Sequence, residues 1–259
     1  MAKKGEMGQR SKNAGLLALG TTIGFCSAAL GIGGGVVAVP ALLFFGYEIK
    51  KATAISLATI FPAAFVGAAA HYFIAKGNVK FVIAALIIVG AVRGAKWGVA
   101  LSHRLSDKLQ KRLFAFVMLA AGLRMILGIN LPTIQVNRIA AYPLLIVLGL
   151  FSGMISAVFG VGSGTVLVPA LYLFFGLSIH EAVATSLVAI TATAFAGAMF
   201  YKKSGNMDRG AVKLLVPMAM AGAVAGAVAA NALPAESIKI AFGILMIAGA
   251  FRVFFERKR

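Results

Sequence analysis

The stretch Gly20-Thr-Thr-Ile-Gly-Phe-Cys-Ser-Ala-Ala-Leu-Gly-Ile-Gly-Gly-Gly-Val-Val-Ala-Val-Pro-Ala-Leu42 returns as Gly149-Leu-Phe-Ser-Gly-Met-Ile-Ser-Ala-Val-Phe-Gly-Val-Gly-Ser-Gly-Thr-Val-Leu-Val-Pro-Ala-Leu171. Twelve of the twenty-three aligned positions are identical, among them Gly24/Gly153, Ser27/Ser156, Gly31/Gly160, Gly33/Gly162, Gly35/Gly164 and Pro40/Pro169. After a one-residue insertion the match continues through Gly46/Gly176, Ala52/Ala182, Ser56/Ser186, Leu57/Leu187 and Gly67/Gly197, and it reaches Gly77-Asn78 against Gly205-Asn206. Self-similarity of this extent is a duplication. It divides the chain into two repeats, 1–138 and 139–259, expected to build one integrated membrane domain.

Composition decides the solvent. Of 259 residues 61% are hydrophobic and 12% charged, with a mean hydropathy of +0.95; a soluble domain carries roughly twice that share of charge. A water-soluble globule is excluded, and an all-α, polytopic membrane protein is expected. Each repeat reads as four apolar segments: Ala14–Gly46, Ala52–Ala75, Phe81–Leu101 and Leu109–Ile129, then Ala140–Gly176, Ala182–Phe200, Gly210–Leu233 and Ser237–Phe254. The last three of each repeat are ordinary spans of about 20 residues. The first is too long: as a continuous helix, Ala14–Gly46 would measure about 50 Å at 1.5 Å per residue, against a hydrocarbon core of about 30 Å. Its middle, Gly31-Ile-Gly-Gly-Gly35, and the counterpart Gly160-Val-Gly-Ser-Gly164 are helix breakers. The expectation is therefore a helical hairpin, two short helices joined by a glycine turn and returning to the side they came from.

Charge supports that topology. The 25 Lys and Arg against 7 Asp and Glu give a formal +18, but the basic residues fall in short clusters between apolar runs, the positive-inside pattern rather than a nucleic-acid surface. With returning hairpins, Lys50, Lys51, Arg104, Lys108, Lys111 and Arg112 join Lys3, Lys4, Arg10 and Lys12 on the cytoplasmic side, and both termini are cytoplasmic. Each repeat then makes an odd number of crossings, so the repeats are inverted; parallel repeats are the competing geometry. The basic N-terminus resembles a signal peptide, but its apolar run far exceeds an h-region of about 7–15 residues, so it is expected to be retained. Cys26 is the single cysteine, so no intramolecular disulfide is possible.

The glycine turns are the strongest candidates for function. Non-helical backbone at membrane depth is tolerated only where protein buries it or a cavity meets it. The helix that restarts after such a break points free N–H groups and its positive dipole end at the gap, which favours an anion. Candidate binding residues are Gly31, Gly33, Gly34 and Gly35 with Ser27 and Ser56, and Gly160, Gly162, Ser163, Gly164 and Thr165 with Ser156 and Ser186. Ser56 and Ser186 are repeat-equivalent and either line a pathway or bond back to their own helix. Gly20/Gly24 and Gly149/Gly153 read as close-packing positions. Arg124 and Arg252, also equivalent, and His71, which aligns with Tyr201, are candidates for a vestibule or a coupling role, with snorkelling and interfacial anchoring as the simpler explanations. All seven acidic residues lie in tails, loops or segment ends, which argues against a mid-membrane carboxylate relay. No zincin, nucleophile-elbow, P-loop or paired-carboxylate pattern appears in context, so an enzyme, a metal site and a cofactor are not expected.

At these repeated motifs the sequence resembles the sulfite exporter TauE/SafE family, within the toluene-sulfonate uptake permease superfamily. The carriers are Gly24-x-x-Ser27-x-x-x-Gly31-Ile-Gly-Gly-Gly-x-x-x-Val-Pro40 with Ala52-x-Ala-x-Ser56-Leu, and Gly153-x-x-Ser156-x-x-x-Gly160-Val-Gly-Ser-Gly-x-x-x-Val-Pro169 with Ala182-x-Ala-Thr-Ser186-Leu. The resemblance implies a multi-pass inner-membrane transporter of small sulfur-containing anions such as sulfite, sulfonates or sulfoacetate. Its expected partners are the lipid bilayer and the anion, with no nucleic acid and an oligomeric state that the sequence leaves open. Ser163 stands where the first turn has Gly34, so the two turns need not bind equally. The alternatives are an anion channel or facilitator, and a non-transporting assembly subunit.

Overall fold

The structure, a computed structural model, describes residues 2–75, 77–127 and 138–255. Ten helices occupy them: α1 (Ala2–Leu30), α2 (Gly35–Phe44), α3 (Ile49–Ile74), α4 (Phe81–Arg104), α5 (Asp107–Leu127), α6 (Arg138–Phe159), α7 (Gly164–Phe174), α8 (Ile179–Lys203), α9 (Arg209–Ala232) and α10 (Ala235–Phe255). Five belong to each repeat, and the chain is an all-α polytopic membrane protein. The expected seam between the repeats, after residue 138, adjoins residues 128–137, which lie outside the described residues, as does the end of the expected span at Ile129.

Both expected breaks are present. Helix α1 stops at Leu30 and α2 starts at Gly35; α6 stops at Phe159 and α7 starts at Gly164. In the first repeat the chain reverses: a Cβ on Gly34 would meet Ile23 of α1, and one on Gly15 would come 2.8 Å from the Phe45 ring. Helix α2 therefore runs back along α1 as a hairpin. Its limbs are unequal, contrary to the expected two short helices. Helix α1 spans 29 residues and α2 10, because the first limb extends into the basic N-terminus while the second is bounded by Gly35 and the turn at Gly46.

Among the described residues six helices are long and apolar enough to cross a membrane: 13–30 of α1, α3, α4, 142–159 of α6, α8 and α9. Helices α5 and α10, expected as single crossings, form over 21 residues each. Large apolar side chains such as Phe65, Phe73, Trp97, Phe116, Phe151 and Phe195 are exposed on the outside of the bundle, where lipid rather than water is the compatible solvent.

Packing is pseudo-two-fold. Helix α1 packs on α9 as its equivalent α6 packs on α4; α3 meets α9 as α8 meets α4; α3–α8 and α5–α10 pair equivalent helices across the axis. Direction can be read from the contacts. Gly67 of α3 faces Leu187 of α8, and Gly197 of α8 faces Leu57 of α3, so these two run antiparallel. Gly122 and Met118 of α5 meet Met246 and Gly249 of α10, again antiparallel. In lipid there is little hydrophobic drive between helices, so close backbone approach supplies the attraction. The α1–α9 and α6–α4 seams meet this need: Gly24 abuts the Ala219 carbonyl and Gly153 that of Ala91, confirming the close-packing reading of those glycines.

Candidate functional site

The two breaks meet each other at the axis. A Cβ on Gly33 would lie 3.1 Å from Gly162 Cα, and one on Gly162 would lie 2.8 Å from the Ile32 carbonyl oxygen. Both glycines have φ near +85° (84° and 85°), a conformation that costs an L-residue about 1–2 kcal/mol. The turns cross head to tail: Gly35, opening α2, abuts Gly160, and Gly164, opening α7, abuts Gly31. Gly33 and Gly162 are thus required both for conformation and for contact, and in this state the turns touch.

Every candidate binding residue of the first break is buried: Ser27, Gly31, Gly33, Gly34, Gly35 and Ser56. So are Ser156, Gly160, Gly162, Ser163, Gly164, Thr165 and Ser186 of the second. Ser56 and Ser186 do more than the sequence suggested. The Ser56 hydroxyl donates to the Gly160 carbonyl at 2.5 Å, and the Ser186 hydroxyl donates to that of Gly31 at 2.9 Å. Each repeat thus holds the opening glycine of the other repeat's break. Ser186 also lies 2.8 Å from Val183 O of its own helix. Thr165 contacts Gly162 O at 3.4 Å and Ser163 contacts Thr193 Oγ1 at 3.5 Å, both long. Gly34 and Ser163, which precede α2 and α7, differ in backbone: φ is +74° at Gly34 and −69° at Ser163.

Among the described residues three hydroxyls are buried without a hydrogen-bond partner: Ser27, Ser156 and Thr53. Ser27 and Ser156 are repeat-equivalent, each one turn before a break. An unpaired buried hydroxyl costs about 1–3 kcal/mol, so its recurrence at equivalent positions calls for an acceptor.

The helix ends are closed by buried side chains, among them His71, for which interfacial anchoring was the simpler expectation. A helix leaves its last four carbonyls without intrahelical partners, and here those ends are inside the protein. His71 is fully buried rather than interfacial; its Nε2 lies 2.8 Å from the Ala28 carbonyl, so Nε2 carries the proton. Its Nδ1 then accepts from Asn231 Nδ2 at 3.0 Å, and that amide also donates to Ala227 O at 2.8 Å. Tyr201, the counterpart of His71, does the same in the second repeat: its hydroxyl bonds the Ala157 carbonyl at 3.0 Å and Ser102 Oγ at 2.8 Å. Ala28 and Ala157 are themselves equivalent. The only available signal was the alignment of two hydrogen-bonding side chains at one repeat position. Gln110, missed altogether, is buried and donates to the Val158 carbonyl of the same helix end.

Outside the spans, the Tyr47 hydroxyl bonds Asp208 at 3.2 Å, joining the α2–α3 turn to the start of α9. Burial, with the Asp208 charge beside it, pushes the Tyr47 phenol above its ordinary range. Lys80, before α4, pairs with Glu181 of α8 at 2.7 Å. Arg124 and Arg252 lie on α5 and α10, and their side chains fall outside the described residues. Among the described residues no three His, Cys, Asp or Glu side chains gather as a metal site would need.

A duplicated helical bundle with lipid-compatible outer faces and paired helix breaks at its centre is the architecture of a membrane transporter. The chain belongs to the sulfite exporter TauE/SafE family, whose pattern it matches over residues 1–125 and 145–259. It is 27% identical over 241 residues to the "Probable membrane transporter protein YdhB" of Bacillus subtilis, covering 91% of this chain and 96% of that protein. A "Probable membrane transporter protein" of Haemophilus influenzae is 26% identical over 266 residues, covering 93% and 97%. Another, from Methanocaldococcus jannaschii, is 30% identical over 116 residues, 42% of this chain and 43% of that protein. No solved structure matches the chain.

Proposed function

We propose that this transporter carries a small sulfur-containing anion such as sulfite, a sulfonate or sulfoacetate, which engages the glycine breaks when the two turns part. The observation that carries this reading is the pair of equivalent, buried, unpartnered hydroxyls of Ser27 and Ser156 beside the starts of two interrupted helices. Hydroxyls and helix-start amides are donors only in this role, and they suit an oxyanion that brings acceptors. Because the turns touch in this state, binding and release require relative movement of the two hairpins, which is alternating access about a central site.

The same reading sets the repeats in opposite orientation in the membrane, with both termini cytoplasmic. Antiparallel packing of the equivalent pairs α3–α8 and α5–α10 supports it, since repeats related by an axis along the membrane normal would keep equivalent helices parallel. The Tyr47–Asp208 contact then braces the cytoplasmic end and Lys80–Glu181 the opposite end.

The test is a ligand screen on purified, detergent-solubilised protein: thermal stabilisation by sulfite, sulfate, thiosulfate and sulfoacetate, with chloride as control. The expected result is saturable stabilisation by a sulfur-containing anion. Indifference to the whole panel would sink the substrate assignment, and unitary currents in voltage-clamped bilayers would replace the carrier with a channel.

A further inference from the structure

The two ends of the crossed breaks are chemically unequal. At one end, Gly160 lies among Ser156, whose carbonyl accepts the Gly160 amide at 2.8 Å, Ser56, which donates to the Gly160 carbonyl, and Thr53. The Cα of Thr53 is 2.7 Å from where a Cβ on Gly160 would sit. At the other end, Gly31 meets Ser27, Ser186 and Val183 in the equivalent places. The hydroxyls of Ser56 and Ser186 are committed to carbonyls, whereas those of Ser27, Ser156 and Thr53 are buried and unpartnered. The Gly160 end is therefore adjoined by two residues with uncommitted hydroxyls and the Gly31 end by one, because the counterpart of Thr53 is Val183.

Valine and threonine have nearly the same shape. The second repeat places valine at this position, so packing alone does not call for a hydroxyl at residue 53, where leaving one unpaired is unfavourable. The Gly160 end also adjoins the start of α2, since Gly35 abuts Gly160, and the first amides of a helix lack partners within it. We propose that Thr53 is a ligand-binding residue, and that Thr53, Ser156 and the first amides of α2 form the preferred oxyanion subsite at the Gly160 end. This rests on the anion-transport reading above and adds that the two ends bind unequally.

The experiment titrates solubilised full-length protein with the sulfur anions of that screen, following thermal stability. In Thr53→Val the anion-free protein is expected to melt at or above the wild-type temperature, because an unpartnered hydroxyl has gone, while the apparent Kd weakens at least tenfold. Thr53→Ser, which keeps the hydroxyl, is expected to stay within about threefold of wild type, and Ser27→Ala to weaken binding less than Thr53→Val. Three results overturn the proposal: wild type binds and Thr53→Val binds within twofold of it; Thr53→Val melts below wild type without anion, making the hydroxyl structural; or Ser27→Ala matches or exceeds the Thr53→Val loss. If no anion stabilises the wild type, the substrate assignment fails and this inference falls with it.

Discussion

Removing one oxygen atom tests how the helix breaks are held. In Tyr201→Phe the ring remains, but the Ala157 carbonyl loses its bond from the Tyr201 hydroxyl at 3.0 Å. That carbonyl sits in the last turn of α6, and its ordinary intrahelical partner would be the amide of Val161, which lies in the break. Ser102 is less affected, because Gln110 Oε1 stands 3.4 Å away. The loss is therefore chiefly one buried carbonyl left unpaired, about 1–3 kcal/mol. For a chain of this size each kcal/mol moves Tm by roughly 2–4 °C, so a fall of about 2–12 °C is expected. The fluorescence of Trp97, the single tryptophan, reports unfolding of the solubilised protein. His71→Leu should lose stability in the same range, since it strips the equivalent carbonyl of Ala28. A Tyr201→Phe protein that melts with wild type would refute the claim that these side chains close the helix ends.

Three further outcomes follow from other contacts. In a Cys26→Ser background, single cysteines at the equivalent positions Asn78 and Asn206 should label from opposite sides of the membrane; labelling of both from one side would restore parallel repeats. Glu181→Gln removes the charge facing Lys80 but keeps an oxygen for the Ser178 cap; because the pair is partly exposed, the loss should stay under about 1 kcal/mol, and a larger fall in Tm would show that this brace carries more than a surface ion pair does. The Tyr47 phenol is raised above its ordinary value of about 10, so its bond to Asp208 contributes fully below that value and is lost as pH rises through the folded pKa. The Tm difference between wild type and Tyr47→Phe should accordingly be constant to about pH 9 and shrink above pH 10; a constant difference across that range would contradict the bond.

The duplication and the breaks were legible because glycine at Gly33 and Gly162 answers two backbone demands at once, a positive φ and mutual contact, and such demands leave a pattern in sequence. The unequal limbs of the hairpins were less so: the helical state of the basic segment before Asn13 is not written in hydropathy. His71 was misplaced for a physical reason. Its partner is a main-chain carbonyl 43 residues away, and no side-chain pattern records that a backbone oxygen needs a donor. The equivalence of Ser56 and Ser186 showed that they share a task, but the task, holding the opposite repeat's glycine carbonyl, depends on the crossing of the two turns. Thr53 stood out only after that crossing placed it beside Gly160.

Parting of the glycine turns around a bound anion is most directly tested by flux. Wild type, Gly33→Val and Gly162→Val are to be reconstituted into proteoliposomes after size-exclusion chromatography has shown each to be monodisperse, and uptake of radiolabelled sulfite and sulfoacetate followed. Saturable uptake by wild type and its abolition in both folded variants is the expected result, because a side chain at either position meets the opposing turn at about 3 Å. Wild-type flux through either valine variant would contradict it.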